Sequence, residues 1–125
     1  MDNEIRRLPD SELEIMQILW NCRVPAYRSD IAAQIPAEKH MAVTTLLTFL
    51  TRLSEKGFVK IEKNGRQSCY TPLVSRHDYL AAQSRNFVNK ICGGSMSAFA
   101  SALCDSGLSR EEIEELRRLL KKESL

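Results

Sequence analysis

The stretch VTTLLTFLTRL, residues 43–53, carries four threonines and an arginine: Thr44, Thr45, Thr48, Thr51 and Arg52. A threonine hydroxyl can donate and accept a hydrogen bond, and a methyl group sits beside it. A guanidinium presents a planar fork of donors. These groups suit recognition by hydrogen bonds and short apolar contacts rather than bond making. The chain shows no P-loop, nucleophile elbow or dinucleotide fingerprint that would argue for catalysis. His40 and His77 are isolated, and Cys22, Cys69, Cys92 and Cys104 form no paired metal-ligand spacing, so neither a metal nor a cofactor is expected. Threonine is a mediocre helix former because its branched side chain is stiff. Four of them on one helix therefore call for a reason.

The flanking elements must position this stretch. In ELEIMQILWN, Leu13, Met16, Leu19 and Trp20 recur at helical spacing, widened by Ile15 and Ile18, and Asp10 or Ser11 stands where a cap is needed. Pro25 breaks the pattern, and Tyr27 is expected to be extended. Ser29 is placed to cap a short helix, DIAAQI, that Pro36 ends. The threonine-rich helix then runs to Lys56, with Gly57 as its C-cap. Beyond it the period changes to two: Val59 and Ile61 alternate with Lys60 and Glu62, Asn64-Gly65 marks a hairpin tip, and RQSCYTPL returns as a second strand.

Helix, short strand, helix, helix, hairpin is the order of a winged helix-turn-helix. The expected fold class is mainly α with a small β-hairpin. In this architecture the third helix enters the DNA major groove and the hairpin is the wing. At 100° per residue Val43, Leu46, Phe49, Leu50 and Leu53 cluster on the side expected to face the core. Thr44, Leu47, Thr48, Thr51 and Arg52 fall on the other side, with Thr45 at the first turn. An ordinary solvated face carries Glu and Lys, whereas this one has almost none before Glu55. Short hydroxyls let a helix lie deep in a groove, where they meet phosphates or base edges, and Arg52 reaches a phosphate or a guanine. In the wing, Lys60, Lys63, Asn64 and Arg66 are the candidate contacts. Between Arg23 and Arg66 basic residues outnumber acidic ones eight to four, so the middle of the chain is its basic part.

From Ser75 the chain reads as helical again, with Leu80, Phe87 and Ile91 near one side and a break at Gly93-Gly94. SMSAFASALC is a shorter, weaker helix. Ser109 and Glu112 fit a capping box for REEIEELRRLLKKE, which carries the stripe Ile113, Leu116, Leu119 and Leu120. Three thin helices cannot bury all their apolar faces within one chain. A second copy would supply the missing surface through those seven residues, giving a two-fold dimer whose paired readers sit a whole number of DNA turns apart, about 34 Å per turn. The expected division is a DNA-binding domain over 1–74 and a helical dimerisation region over 75–125. No run is apolar enough to insert in a membrane, and MDNEIRRLPDSELE lacks the apolar core of a signal peptide, so a cytoplasmic location is expected.

The blocks LPDSELEIMQILW, TTLLTFLTRLSEKGFV, YTPLVSRHDYL, NFVNKI and LSREEIEELRRLL together resemble the penicillinase-repressor family, the BlaI/MecI/CopY-type transcriptional regulators, over nearly the whole chain. The resemblance implies a homodimeric repressor on a palindromic operator, with a membrane sensor-protease that triggers cleavage of the C-terminal region at an Asn-Phe bond. That bond aligns here with Ala102-Leu103, given a one-residue gap near Gly93-Gly94, while Asn86-Phe87 matches a different family position. The copper-responsive branch carries closely spaced C-terminal cysteines, and RRLLKKESL has none. Where the family has Ser-Pro near the start of the reading helix and a basic residue further along, this chain has Ala42, Val43 and Leu47. Two other readings compete: a winged-helix protein-docking module, and a thiol redox sensor using Cys92 or Cys104. Steep loss of DNA affinity with salt separates a DNA binder from the docking module. A cysteine-free variant that kept its response to oxidant would exclude the redox sensor.

Overall fold

Which residues leave water decides how the third helix is held. The computed structural model describes residues 5–123, which divide into two compact units, one ending at Gln83 and the other starting at Ser84. In the first, helix α1 (Asp10–Asn21), strand β1 (Ala26–Tyr27), helix α2 (Arg28–Ala33), a 3-10 turn (Ala37–Lys39), helix α3 (Val43–Glu55) and strands β2 (Val59–Asn64) and β3 (Gln67–Pro72) follow in winged-helix order. Helix α4 (Arg76–Lys90) begins in the first unit and ends in the second, which also holds α5 (Met96–Asp105) and α6 (Arg110–Glu123). The strands form one antiparallel sheet in the order β1-β3-β2, with Ala26 opposite Tyr70 and Tyr27 opposite Cys69.

The core of the first unit joins Ile15, Met16 and Leu19 of α1 to Leu46, Leu50 and Leu53 of α3, with Ile31, Phe58, Val59 and Tyr70 around them. The helical spacing of the α3 leucines places all three on one side, so burying them orients the opposite side outward. Val43, expected in the core, is 49% exposed. It opens α3, three residues before the buried Leu46. Tyr79 of α4, absent from the expected apolar set, is buried. Its hydroxyl accepts from the Leu8 N–H at 2.9 Å, and its ring meets Trp20 and Phe58 at 5.9 Å between centroids. Trp20 in turn donates through Nε1 to the Val74 carbonyl at 2.9 Å.

The helix ends correct two expectations. Neither Asp10 nor Ser11 caps α1: Pro9 holds the N-cap position without a side-chain bond, and Asp10 lies within the first turn, where its charge suits the helix dipole. At α2 the expected cap from Ser29 is replaced by Asp30, whose Oδ2 accepts from the Tyr27 N–H at 3.0 Å. The end of α3 follows expectation. Gly57, at φ +83°, donates to the Ser54 carbonyl while Phe58 donates to that of Leu53, and Phe58 and Leu53 are both buried. This is the Schellman arrangement, in which glycine accepts the left-handed backbone without steric cost.

In the second unit Phe87 meets Phe99 edge-on at 5.9 Å, and Val88 is buried. Ser95 caps α5 by accepting from Ala98 N–H at 3.0 Å. The box at α6 forms as expected: Ser109 N–H donates to Glu112 at 2.9 Å and Glu112 N–H to Ser109 at 3.1 Å.

Candidate nucleic-acid interface

Because Leu46, Leu50 and Leu53 are anchored, Thr44, Thr45, Thr48, Thr51 and Arg52 are all exposed on α3. Their exposed sides present hydroxyl and methyl groups, and Arg52 is in no ion pair among the described residues. Thr48 differs from the rest, since its Oγ1 donates to the Thr44 carbonyl at 2.9 Å. Its proton is thus engaged with the helix, and it offers a lone pair and a methyl outward. That combination suits a base-edge donor or a thymine methyl better than a phosphate, which can only accept. Leu47 is 38% exposed and forms part of a cleft bounded by the hairpin and the start of α2.

The hairpin projects from the core, with every residue from Lys60 to Gln67 exposed. Its tip is one residue later than expected. Asn64 pairs with Gln67, so the two-residue loop is Gly65-Arg66, with Gly65 at φ +70°. A turn with glycine at its first central position matches the twist of the strands, and Arg66 then needs no positive φ. Asn64 ends its strand, and its amide donates to the Tyr27 hydroxyl, tying the tip to β1. Lys60 is paired with Glu62 at 3.1 Å, an exposed contact that partly neutralises it. Lys63 and Arg66 have no such partner among the described residues.

Two other cations of the basic middle segment are engaged by carboxylates of α1. Lys39 is held by Glu14 of α1, whose hydrogen bond and charge raise the pKa of the ammonium. Lys56 pairs with the buried Glu12 at 2.5 Å. In exchange the fold brings Arg28 and Ser29 to the cleft beside Leu47, although Arg28 was not singled out in the sequence and Ser29 only as a helix cap. Only the pairing of β1 with β3 puts them there, and no local pattern in the sequence signals it. Burial pushes the phenol of Tyr70, at the same cleft, above its usual range, with the nearby Arg28 guanidinium opposing the shift.

Among the described residues no group of three potential ligands could hold a metal ion, and no helix is long and apolar enough to cross a membrane. The four cysteines are free. Burial, and then the charge of Asp30, raise the pKa of the Cys22 thiol.

The profile of the family described as Penicillinase repressor matches residues 8–122. The chain belongs to the penicillinase repressor family. It is 35% identical over 123 residues to the methicillin resistance regulatory protein MecI of Staphylococcus aureus (strain N315), covering 98% of this chain and 99% of that one. It is 30% identical over 118 residues to the penicillinase repressor of Bacillus licheniformis, covering 94% and 91%. A solution structure of monomeric Bacillus licheniformis BlaI with the blaP half-operator aligns with a TM-score of 0.47 at 30% identity, over 60% of this chain and 90% of that one.

In this member of the family the residues expected to face a second copy remain open. Leu80, Phe87, Ile91, Leu119 and Leu120 are between 46% and 70% exposed, while Ile113 and Leu116 are half-buried. Leu80 belongs to the first unit and the other six to the second. Ile113, Leu116 and Leu120 line one shallow apolar trough along α6, flanked by Arg117 and Lys121.

Proposed function

We propose that this family member acts as a cytoplasmic homodimer that occupies a palindromic operator in double-stranded DNA and blocks transcription until an inducing signal releases it. The observation that carries the reading is the division of α3 into a buried leucine side and an exposed side of hydroxyls and a guanidinium. The naming of its relatives as repressors and resistance regulators supports it.

In this reading residues 1–74 bind DNA and residues 75–125 bring two copies together. Joining two readers makes the second contact intramolecular, which multiplies affinity by about 10²–10⁴ without any new contact. The double variant Leu116→Asp, Leu120→Asp places charge in the α6 trough. It is expected to sediment as a monomer and to lose about a hundredfold or more in affinity for a palindromic duplex, with little change on a half-site. A variant that stays dimeric and binds the palindrome normally would remove the α6 stripe from the account.

Release by a membrane sensor-protease would act on the second unit. The bond that corresponds to the family's cleavage site, Ala102–Leu103, lies inside α5, with Ala102 exposed and Leu103 half-buried. A protease binds its substrate extended, so this turn must unwind first. Cells that also express a sensor-protease of the kind that acts on this family, exposed to its inducer, should yield a fragment ending at Ala102. Persistence of intact protein while repression lifts would show that release works by another route.

A further inference from the structure

We infer that the cleft between the start of α2 and the hairpin is a phosphate clamp, in which Arg28 and Arg66 together hold one backbone phosphate of the bound duplex. The inference rests on α3 being the DNA reader, and it adds Arg28, which lies on neither the reading helix nor the wing.

Arg28 and Ser29 form one wall of the cleft, Arg66, Gln67 and Ser68 the other, and Leu47 of α3 lies between them. The two charged side chains lining it are both guanidinium groups, and no carboxylate joins them. The nearby acids are engaged elsewhere: Asp30 accepts from the Tyr27 N–H, and Glu62 pairs with Lys60. Neither arginine has an ion-pair partner among the described residues. Two like charges lining one cleft repel each other, and an anion between them converts that repulsion into two attractions. The hydroxyls of Ser29 and Ser68 and the amide of Gln67 add neutral donors, as a phosphate oxygen requires.

The walls are held in register rather than left to drift. Arg28 directly follows Tyr27, which pairs with Cys69 in the sheet, and Arg66 directly precedes β3. The amide of Asn64 closes the arrangement on the Tyr27 hydroxyl. The backbone positions that carry the two guanidiniums are therefore held before DNA arrives, which reduces the ordering cost of binding. Leu47 connects the cleft to the exposed side of α3. A duplex that takes this helix in its major groove presents a flanking phosphate strand beside it. Such a contact fixes the register of the protein on DNA and carries no sequence information.

The test uses the full chain and a duplex recovered by selection from a random pool. Arg28→Gln and Arg66→Gln are each expected to weaken binding about tenfold per bound protomer, because a hydrogen bond to a charged group is lost at each clamp. With one shared phosphate, the double variant should lose well under the product of the two, about a hundredfold. The slope of log affinity against log salt should fall by about 0.9 per bound protomer in the double variant, about 1.8 for a dimer on a palindrome, the value of one phosphate per clamp. Selected and scrambled duplexes should weaken in equal proportion, and Arg28→Lys should recover most of the affinity by restoring the charge.

If Arg28→Gln binds with wild-type affinity and salt slope while Arg52→Ala loses specific binding, the clamp is wrong and the reading of α3 stands. If the two glutamine variants multiply fully, each arginine meets its own phosphate and the shared clamp is overturned. A wild-type protein that recovers no duplex from the pool would sink the DNA reading and the clamp with it.

Discussion

Arg52→Ala is expected to lower affinity for the selected duplex by about 1–3 kcal/mol per half-site, roughly five- to 150-fold, and to relax preference at one base position in each. The side chain is exposed in the last turn of α3 and is in no ion pair among the described residues. Its removal therefore leaves the core untouched, and the urea midpoint should not move. If Arg52 met a phosphate instead, affinity would fall equally on all sequences, so the pattern of loss separates the two roles. Thr48→Ala is expected to weaken binding by less than Arg52→Ala, because its hydroxyl proton is already donated to Thr44 and only a lone pair and a methyl face outward. Filter-binding or anisotropy titrations at fixed salt measure both. Unchanged affinity in the two variants would remove α3 as the reader.

Lys56→Met is expected to be among the most destabilising single changes outside the apolar core. Glu12 is 3% exposed and accepts from Lys56 at 2.5 Å, so deleting the ammonium leaves a buried carboxylate without its ion partner. Breaking a buried pair from one side costs about 3–5 kcal/mol. Lys56 itself is 41% exposed, so water screens part of the interaction and about 2–3 kcal/mol is the reasonable expectation. Replacing both partners, Glu12→Leu with Lys56→Met, should recover most of the loss because no charge is then stranded. Urea denaturation with an unchanged m-value reads the difference. A single variant as stable as the parent would show that Glu12 finds water or another donor. The pair also bears on function, since it joins α1 to the C-cap of α3 and so helps fix the direction of the reading helix.

The order of elements and the outward side of α3 were legible in the sequence because both rest on periodicity. Leucines at 46, 50 and 53 can share one side of a helix and cannot share a strand face. The Ser109–Glu112 box and the Gly57 cap were legible because their partners lie within five residues along the chain. The hairpin was legible but its tip was not. Asn-Gly suits one turn with both residues central, whereas the register of Ile61 against Tyr70 places Gly65-Arg66 there instead. That choice belongs to the whole sheet and its packing.

Sequence by itself thus determined the winged-helix order, the hydroxyl-rich side of α3 and the apolar stripe of α6, all of which follow from local spacing. Tertiary structure alone decided which cations stay available. It turned Lys39 and Lys56 toward Glu14 and Glu12, and carried Arg28 to the cleft opposite Arg66. It also drew Tyr79 into the core of the first unit through the Leu8 N–H, across 71 residues of chain. The physical reason is common to all of these. A side chain's charge and polarity are its own, but the partner that neutralises or buries it comes from a distant segment, and only packing brings the two together.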